Sequence, residues 1–118
     1  MKIGIFSDVH YGPYGEAVTA DGMNQRQADY LATLKRTLSG MRQREVDLVL
    51  FAGDAFKHPR PAPALVYDFG QTVYQEIIAH DVRVEVVLGN HELPKGDHDE
   101  DALACLRSFL VMPIVSQA

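Results

Sequence analysis

Asp47-Leu48-Val49-Leu50-Phe51-Ala52-Gly53-Asp54 is the stretch from which the fold can be read. Leu48, Val49, Leu50 and Phe51 are apolar without alternation, the pattern of a strand covered on both faces. The strand, Asp47 to Ala52, ends on Gly53-Asp54, and two other apolar runs end on similar chemistry. Lys2 to Ser7, with Ile3, Ile5 and Phe6, leads into Asp8-Val9-His10. Val82 to Leu88, half-polar at Arg83 and Glu85 and then fully apolar, leads into Gly89-Asn90-His91-Glu92. In open α/β sheets the carboxyl ends of the strands converge on one crevice. Asp8, His10, Asp54, Asn90 and His91 are therefore expected together despite their distance along the chain.

Between these strands the pattern changes to helical spacing. Tyr11 to Gly22 holds Gly12, Pro13, Gly15 and Gly22, and no period survives so many breakers, so it reads as a loop over the site. Asn24 followed by Gln27 resembles a capping box, and Ala28, Leu31, Leu34, Leu38 and Met41 then recur on one helical face, with fraying expected near Gly40. Pro59, Pro61 and Pro63 enforce an extended connection after Asp54. A second helix is expected from about Ala64, with Leu65, Phe69, Val73 and Ile77 on its apolar face and a stop at His80-Asp81. Gly96 to Asp101 reads as a turn, Asp97 and Glu100 as caps of a last helix carrying Leu103, Leu106 and Phe109, and Val111 to Val115 as the start of a fourth strand. This order predicts an α/β fold, a mostly parallel sheet with βαβ crossovers, in a single domain spanning residues 1–118.

Composition bounds the function. A chain of 118 residues, 47% hydrophobic, suits one domain burying roughly two-thirds of its unfolded surface. The formal charge of -5 leaves no basic stripe to displace counterions from phosphates, so any phosphate must be met locally, with metal as the natural partner. Cys105 alone permits no internal disulfide, and no apolar stretch is long enough to span a bilayer. A cytoplasmic protein with no membrane partner is the expectation, with Cys105 a small buried hydrophobe.

Each strand end carries metal-ligand chemistry. In extended chain Asp8 and His10 point to one side and can grip one ion together. Asp54 adds a carboxylate able to bridge two cations, and Gly53 before it lets backbone approach closely. Asn90 offers a carbonyl oxygen acceptable to Mn²⁺, Fe or Zn²⁺, and His91 can protonate a leaving oxygen. Two ions ~3.5–4 Å apart would polarise a phosphoryl group and activate water for in-line displacement.

These residues resemble the calcineurin-like metallophosphoesterases, whose N-terminal half shows D-x-H, G-D and G-N-H-[DE] after successive strands. The match runs from Lys2 to Glu92. The resemblance implies Asp8 and His10 on a first ion, Asp54 bridging, Asn90 on a second, His91 as catalytic histidine and Glu92 orienting it. It also implies two divalent ions, most often Mn²⁺, and the N-terminal half of a four-layer α/β/β/α sandwich. The wording from Asp47 to Phe56 and the later G-N-H-x-L-P look most like DNA repair nucleases of the Mre11/SbcD type, which implies hydrolysis of DNA phosphodiesters. That branch usually has Asp at the position of Glu92, and glutamate is commoner in Ser/Thr protein phosphatases. The aspartate-arginine-glycine run those phosphatases carry after G-D is absent from Ala55 to Arg60. The alternatives are a phosphatase acting on phosphomonoesters and a non-catalytic or split-enzyme half-domain. The family completes its site with a further histidine and a G-H-x-H motif, neither found before Ala118, so the expectation is an incomplete domain with little activity alone.

Other polar groups have plainer readings. Lys57, His58 and Arg60 read as a solvated loop beside Asp54 rather than a phosphate contact, His80 as a helix end, and Asp97 to Asp101 as acids favoured at a helix N-terminus. Tyr11 and Tyr14 are weak candidates for stacking on a base. Ile3, Ile5, Leu48, Leu50, Val84 and Val86 are expected on one sheet face, and Phe6, Val49, Phe51 and Val87 on the other. Sequential crossovers place both helices on one face, so the other calls for a homodimer partner or a complementing C-terminal segment.

Overall fold

Among the described residues the chain runs in order through β1 (Ile3–Phe6), α1 (Gln25–Gln43), β2 (Leu48–Phe51), α2 (Pro63–Glu76), a 3₁₀ turn at Ile78–His80, β3 (Arg83–Val87) and β4 (Ile114–Val115). The structure, a computed structural model, describes residues 1–58, 60–87 and 114–115. The expected helix through Leu103, Leu106 and Phe109, its acidic cap, Cys105 and the Asn90-His91-Glu92 segment lie outside the described residues.

The helices start where local chemistry requires. Asn24 caps α1, its side-chain oxygen accepting the Gln27 N–H at 3.0 Å, and so satisfies one of the four orphan donors of the first turn. Leu34 and Leu38 are its buried residues, and the helix runs through Gly40 to Gln43 rather than fraying at the glycine. Its packing on the sheet outweighs the roughly 1 kcal/mol that an internal glycine costs. Pro63 stands in the first turn of α2, where its missing N–H would have had no helical partner anyway. The segment after α2 closes at Asp81, in the left-handed region with φ 63°.

The strands form one parallel sheet in the order β1-β2-β3-β4. The order does not reverse, and α1 packs against α2, so both helices lie on one face. Register then decides which side chains share that face. Val49 pairs with Val84 and Phe51 with Val86, while Leu48 pairs with Arg83 and Leu50 with Glu85. Val84 and Val86 therefore lie with Phe6, Val49 and Phe51 under the helices, not with Ile3 and Ile5 as the sequence suggested. Because strand side chains alternate, a one-residue difference in register moves a whole strand's apolar set to the other face. The opposite face carries Ile3, Ile5, Leu48 and Leu50 beside Arg83 and Glu85, and Ile5 is 65% exposed.

The core lies between the sheet and the helices. Phe6 stacks on Phe51 with centroids 4.7 Å apart, and Phe69 of α2 contacts both Phe51 at 5.6 Å and Phe56 at 5.3 Å. Phe56 belongs to the loop that follows Asp54, so this chain of rings fixes that loop to β2 and α2. Each fully buried aromatic or leucine contributes roughly 1.5–3 kcal/mol relative to exposure. Gly4 is buried beneath α1, where a Cβ would come within 2.7 Å of the Met41 sulfur.

Candidate metal centre

Beyond the last residues of β1 and β2 the two loops run side by side and are joined by backbone hydrogen bonds. Ala52 N–H donates to Phe6 O at 2.9 Å, Asp8 N–H to Gly53 O at 3.1 Å, His10 N–H to Asp54 O at 3.1 Å and Tyr11 N–H to Ala55 O at 2.8 Å; Lys57 N–H then donates to Tyr11 O at 3.1 Å. The parallel pairing of the sheet thus continues past its regular strands and carries Asp8 and His10 alongside Asp54.

The resulting cluster is tight. Among the described residues, Asp8, His10 and Asp54 each offer a ligand atom, and these atoms lie within 4.8 Å of one another. Asp8 Oδ1 is 3.5 Å from His10 Nε2. The route to this contact differs from the expected one: Asp8 and His10 are not extended but left-handed, at φ 56° and 50°, and Asp54 is likewise at 59°. All three are non-glycine residues in a sparsely populated region, at a cost of about 1–3 kcal/mol each, and such strain gathers where function needs an unusual side-chain direction. Gly53 sits at φ 98°, a conformation that favours glycine.

Electrostatics support a cation here. The Ser7 hydroxyl, 2.8 Å from Asp8 Oδ2, holds the Asp8 carboxyl below its usual range, with the Asp54 carboxyl and the His10 imidazole acting in the same direction. Asp54 Oδ1 is buried and has no hydrogen-bond partner among the described residues. Leaving such an oxygen unsatisfied costs about 1–3 kcal/mol, more when charged. A divalent cation would satisfy it, and two carboxylates with an imidazole form an oxygen and nitrogen donor set suited to Mn²⁺, Fe or Zn²⁺.

The surrounding loop is built to hold His10. Tyr14 donates its hydroxyl to the His10 carbonyl at 2.9 Å, and Asn24, the cap of α1, binds Tyr14 through both its backbone N–H and its carbonyl at 3.1 Å. The Lys57 ammonium lies 4.1 Å over the Tyr14 ring and donates to Pro13 O at 3.1 Å. Lys57 is thus tied to the loop rather than simply solvated, while His58 is exposed. Tyr11 is 0% exposed, so it cannot offer its ring to a base. His80 does end its turn, with Nε2 2.6 Å from Arg42 Nη1.

Of the residues singled out by sequence, Asp8, His10 and Asp54 are brought together, and Asn90, His91 and Glu92 lie outside the described residues. Sequence reasoning missed Ser7, whose position beside Asp8 was a visible signal. It read Gln27 only as part of a cap and missed Asp68; both share the Tyr11 hydroxyl, a relationship whose separation in sequence leaves no signal.

The calcineurin-like phosphoesterase family model matches residues 1–117, and the chain belongs to that family. It is 26% identical over 88 residues to the DNA double-strand break repair protein Mre11 of Methanocaldococcus jannaschii, covering 75% of this chain and 24% of that protein. It is 27% identical over 93 residues to Mre11 of Methanopyrus kandleri, covering 79% and 19% respectively. The chain therefore spans a quarter or less of the length of these relatives. A crystal structure of a dimetal phosphatase from Danio rerio superposes with a TM-score of 0.52 at 22% identity, covering 76% of this chain and 29% of that one, which shows the shared fold. No helix among the described residues is long and apolar enough to cross a membrane.

Proposed function

We propose that this chain supplies the N-terminal part of a two-metal phosphoesterase site, and that its substrate is a phosphodiester of DNA. The observation that carries the metal reading is the buried Asp54 Oδ1, without a partner among the described residues, within a cluster whose other members are Asp8 and His10. The likeness to two archaeal Mre11 proteins supports DNA over other phosphoesters. Asp8 and His10 would hold a first ion, Asp54 would bridge, and Asn90 would hold a second, with Mn²⁺ the preferred metal. When bound, such ions polarise the phosphoryl group and make water a nucleophile near neutral pH. His91 would give a proton to the leaving oxygen, and Glu92 would keep its imidazole oriented for that transfer. Ser7 lowers the Asp8 carboxyl pKa and fixes one of its oxygens, Tyr14 holds the backbone of His10 and Asn24 holds Tyr14, so the ligands need little reorganisation.

The exposed Ile3 and Ile5 mark the face on which a complementing C-terminal segment would lie, completing the site in a cytoplasmic enzyme. The test is hydrolysis, with Mn²⁺ and such a segment supplied, of a single-stranded oligonucleotide, bis(p-nitrophenyl) phosphate and p-nitrophenyl phosphate. Cleavage of the two diesters that is lost in His91→Ala supports the reading. Turnover of the monoester alone would move the assignment to a phosphatase.

A further inference from the structure

Tyr11 follows His10 directly, and its neighbours tie it to three separate parts of the fold, α1, α2 and the loop after β2. Its ring is wholly buried, whereas the His10 side chain is 41% exposed toward the metal cluster. The Tyr11 hydroxyl donates to Asp68 Oδ2 of α2 at 2.9 Å and accepts from Gln27 Nε2 of α1 at 3.2 Å. Its backbone N–H and carbonyl pair with Ala55 and Lys57 on the two sides of Phe56, an isolated parallel bridge beyond the ends of β1 and β2. Asp8, His10 and Asp54 around it all hold left-handed backbone that short loops do not keep unless their surroundings over-determine it.

We propose that Tyr11 is a positioning residue for the metal ligands: its hydroxyl latches the His10 loop to both helices and so sets the direction in which His10 and Asp54 present their ligand atoms. The latch works through distance and register. With the hydroxyl held between Asp68 and Gln27, the Tyr11 backbone cannot slide relative to Ala55 and Lys57, and the His10 N–H stays on Asp54 O. The hydroxyl is taken up by Asp68 and Gln27, so Tyr11 acts through the backbone rather than as a ligand itself. This inference rests on reading Asp8, His10 and Asp54 as metal ligands.

Three variants of the chain separate the latch from simple packing. Tyr11→Phe and Asp68→Leu each delete the hydroxyl–carboxylate contact, and Asp68→Asn keeps an oxygen acceptor facing the hydroxyl. Mn²⁺ binding by calorimetry should weaken about tenfold in the first two, the lower end of the range for groups that orient ligands, and stay within about threefold of wild type in Asp68→Asn. The Co²⁺ absorption bands should change shape in the first two and not in the third. Wild-type Mn²⁺ affinity and an unaltered Co²⁺ spectrum in Tyr11→Phe would overturn the proposal. If the wild-type chain binds no ion, the metal reading is what fails, and the latch is decided on the metal-free protein by amide exchange. Faster exchange at Tyr11 and Lys57 in Tyr11→Phe than in Asp68→Asn upholds it, and equal rates overturn it.

Discussion

His10 donates its backbone N–H to the carbonyl of Asp54 at 3.1 Å, so two ligand candidates 44 positions apart are held in fixed register by main chain rather than by their side chains. Side-chain substitutions should therefore remove ligands without collapsing the loops. His10→Ala is expected to lower Mn²⁺ affinity by more than about 100-fold, beyond the range for groups that merely orient ligands, while circular dichroism and the melting temperature stay near wild type. Isothermal titration beside a thermal melt checks both halves of that statement.

The ends of β1 and β2 were legible in the sequence because metal-ligand residue types follow apolar runs at both, a combination more specific than either motif alone, and Asn24 was legible as a helix cap because its chemistry is local. The faces of β3 were not, since Val84 and Val86 are placed by pairing with Val49 and Phe51, a relationship between strands. The left-handed backbone at Asp8, His10 and Asp54 was also hidden, because non-glycine residues give no warning of it. The Asp8–His10 contact was foreseen for a reason that does not hold: the two residues meet through strained turns rather than through the alternation of a strand.

Ser7 should govern the ionisation of Asp8 in the metal-free chain. The Asp8 carboxyl titrates below its ordinary value of 3.8, first because of the Ser7 hydroxyl. A depressed folded-state pKa adds stability above the unfolded value, and that increment is lost as pH falls through the folded value. Ser7→Ala is expected to move the Asp8 titration back upward and to trim stability near neutral pH but not in strong acid. Carbon-detected NMR titration of the Asp8 carboxyl checks the direction.

Helix α1 packs so closely over β1 that Gly4 should resist large side chains. A Cβ there meets the flexible end of Met41, so Gly4→Ala should change stability by less than about 1 kcal/mol as Met41 shifts and strand propensity improves. Gly4→Leu should destabilise by about 1–3 kcal/mol through overpacking. Urea denaturation of both variants gives the comparison.

On the face away from the helices, Ile3 is 47% and Ile5 65% exposed, next to partly exposed Leu48 and Leu50. Contiguous apolar surface of this kind favours association. The chain is expected to self-associate at tens of micromolar and bind a hydrophobic dye, and Ile5→Lys to reduce both. Light scattering that finds a wild-type monomer without dye binding would show the face to be covered.

Metal binding by Asp54→Ala is the most direct test of the central claim, because Asp54 carries the buried oxygen that lacks a partner among the described residues. The wild-type chain should bind Mn²⁺, and the variant should keep its fold and bind none at concentrations that saturate wild type. Unchanged Mn²⁺ stoichiometry and affinity in Asp54→Ala would contradict the assignment of this cluster as the metal centre.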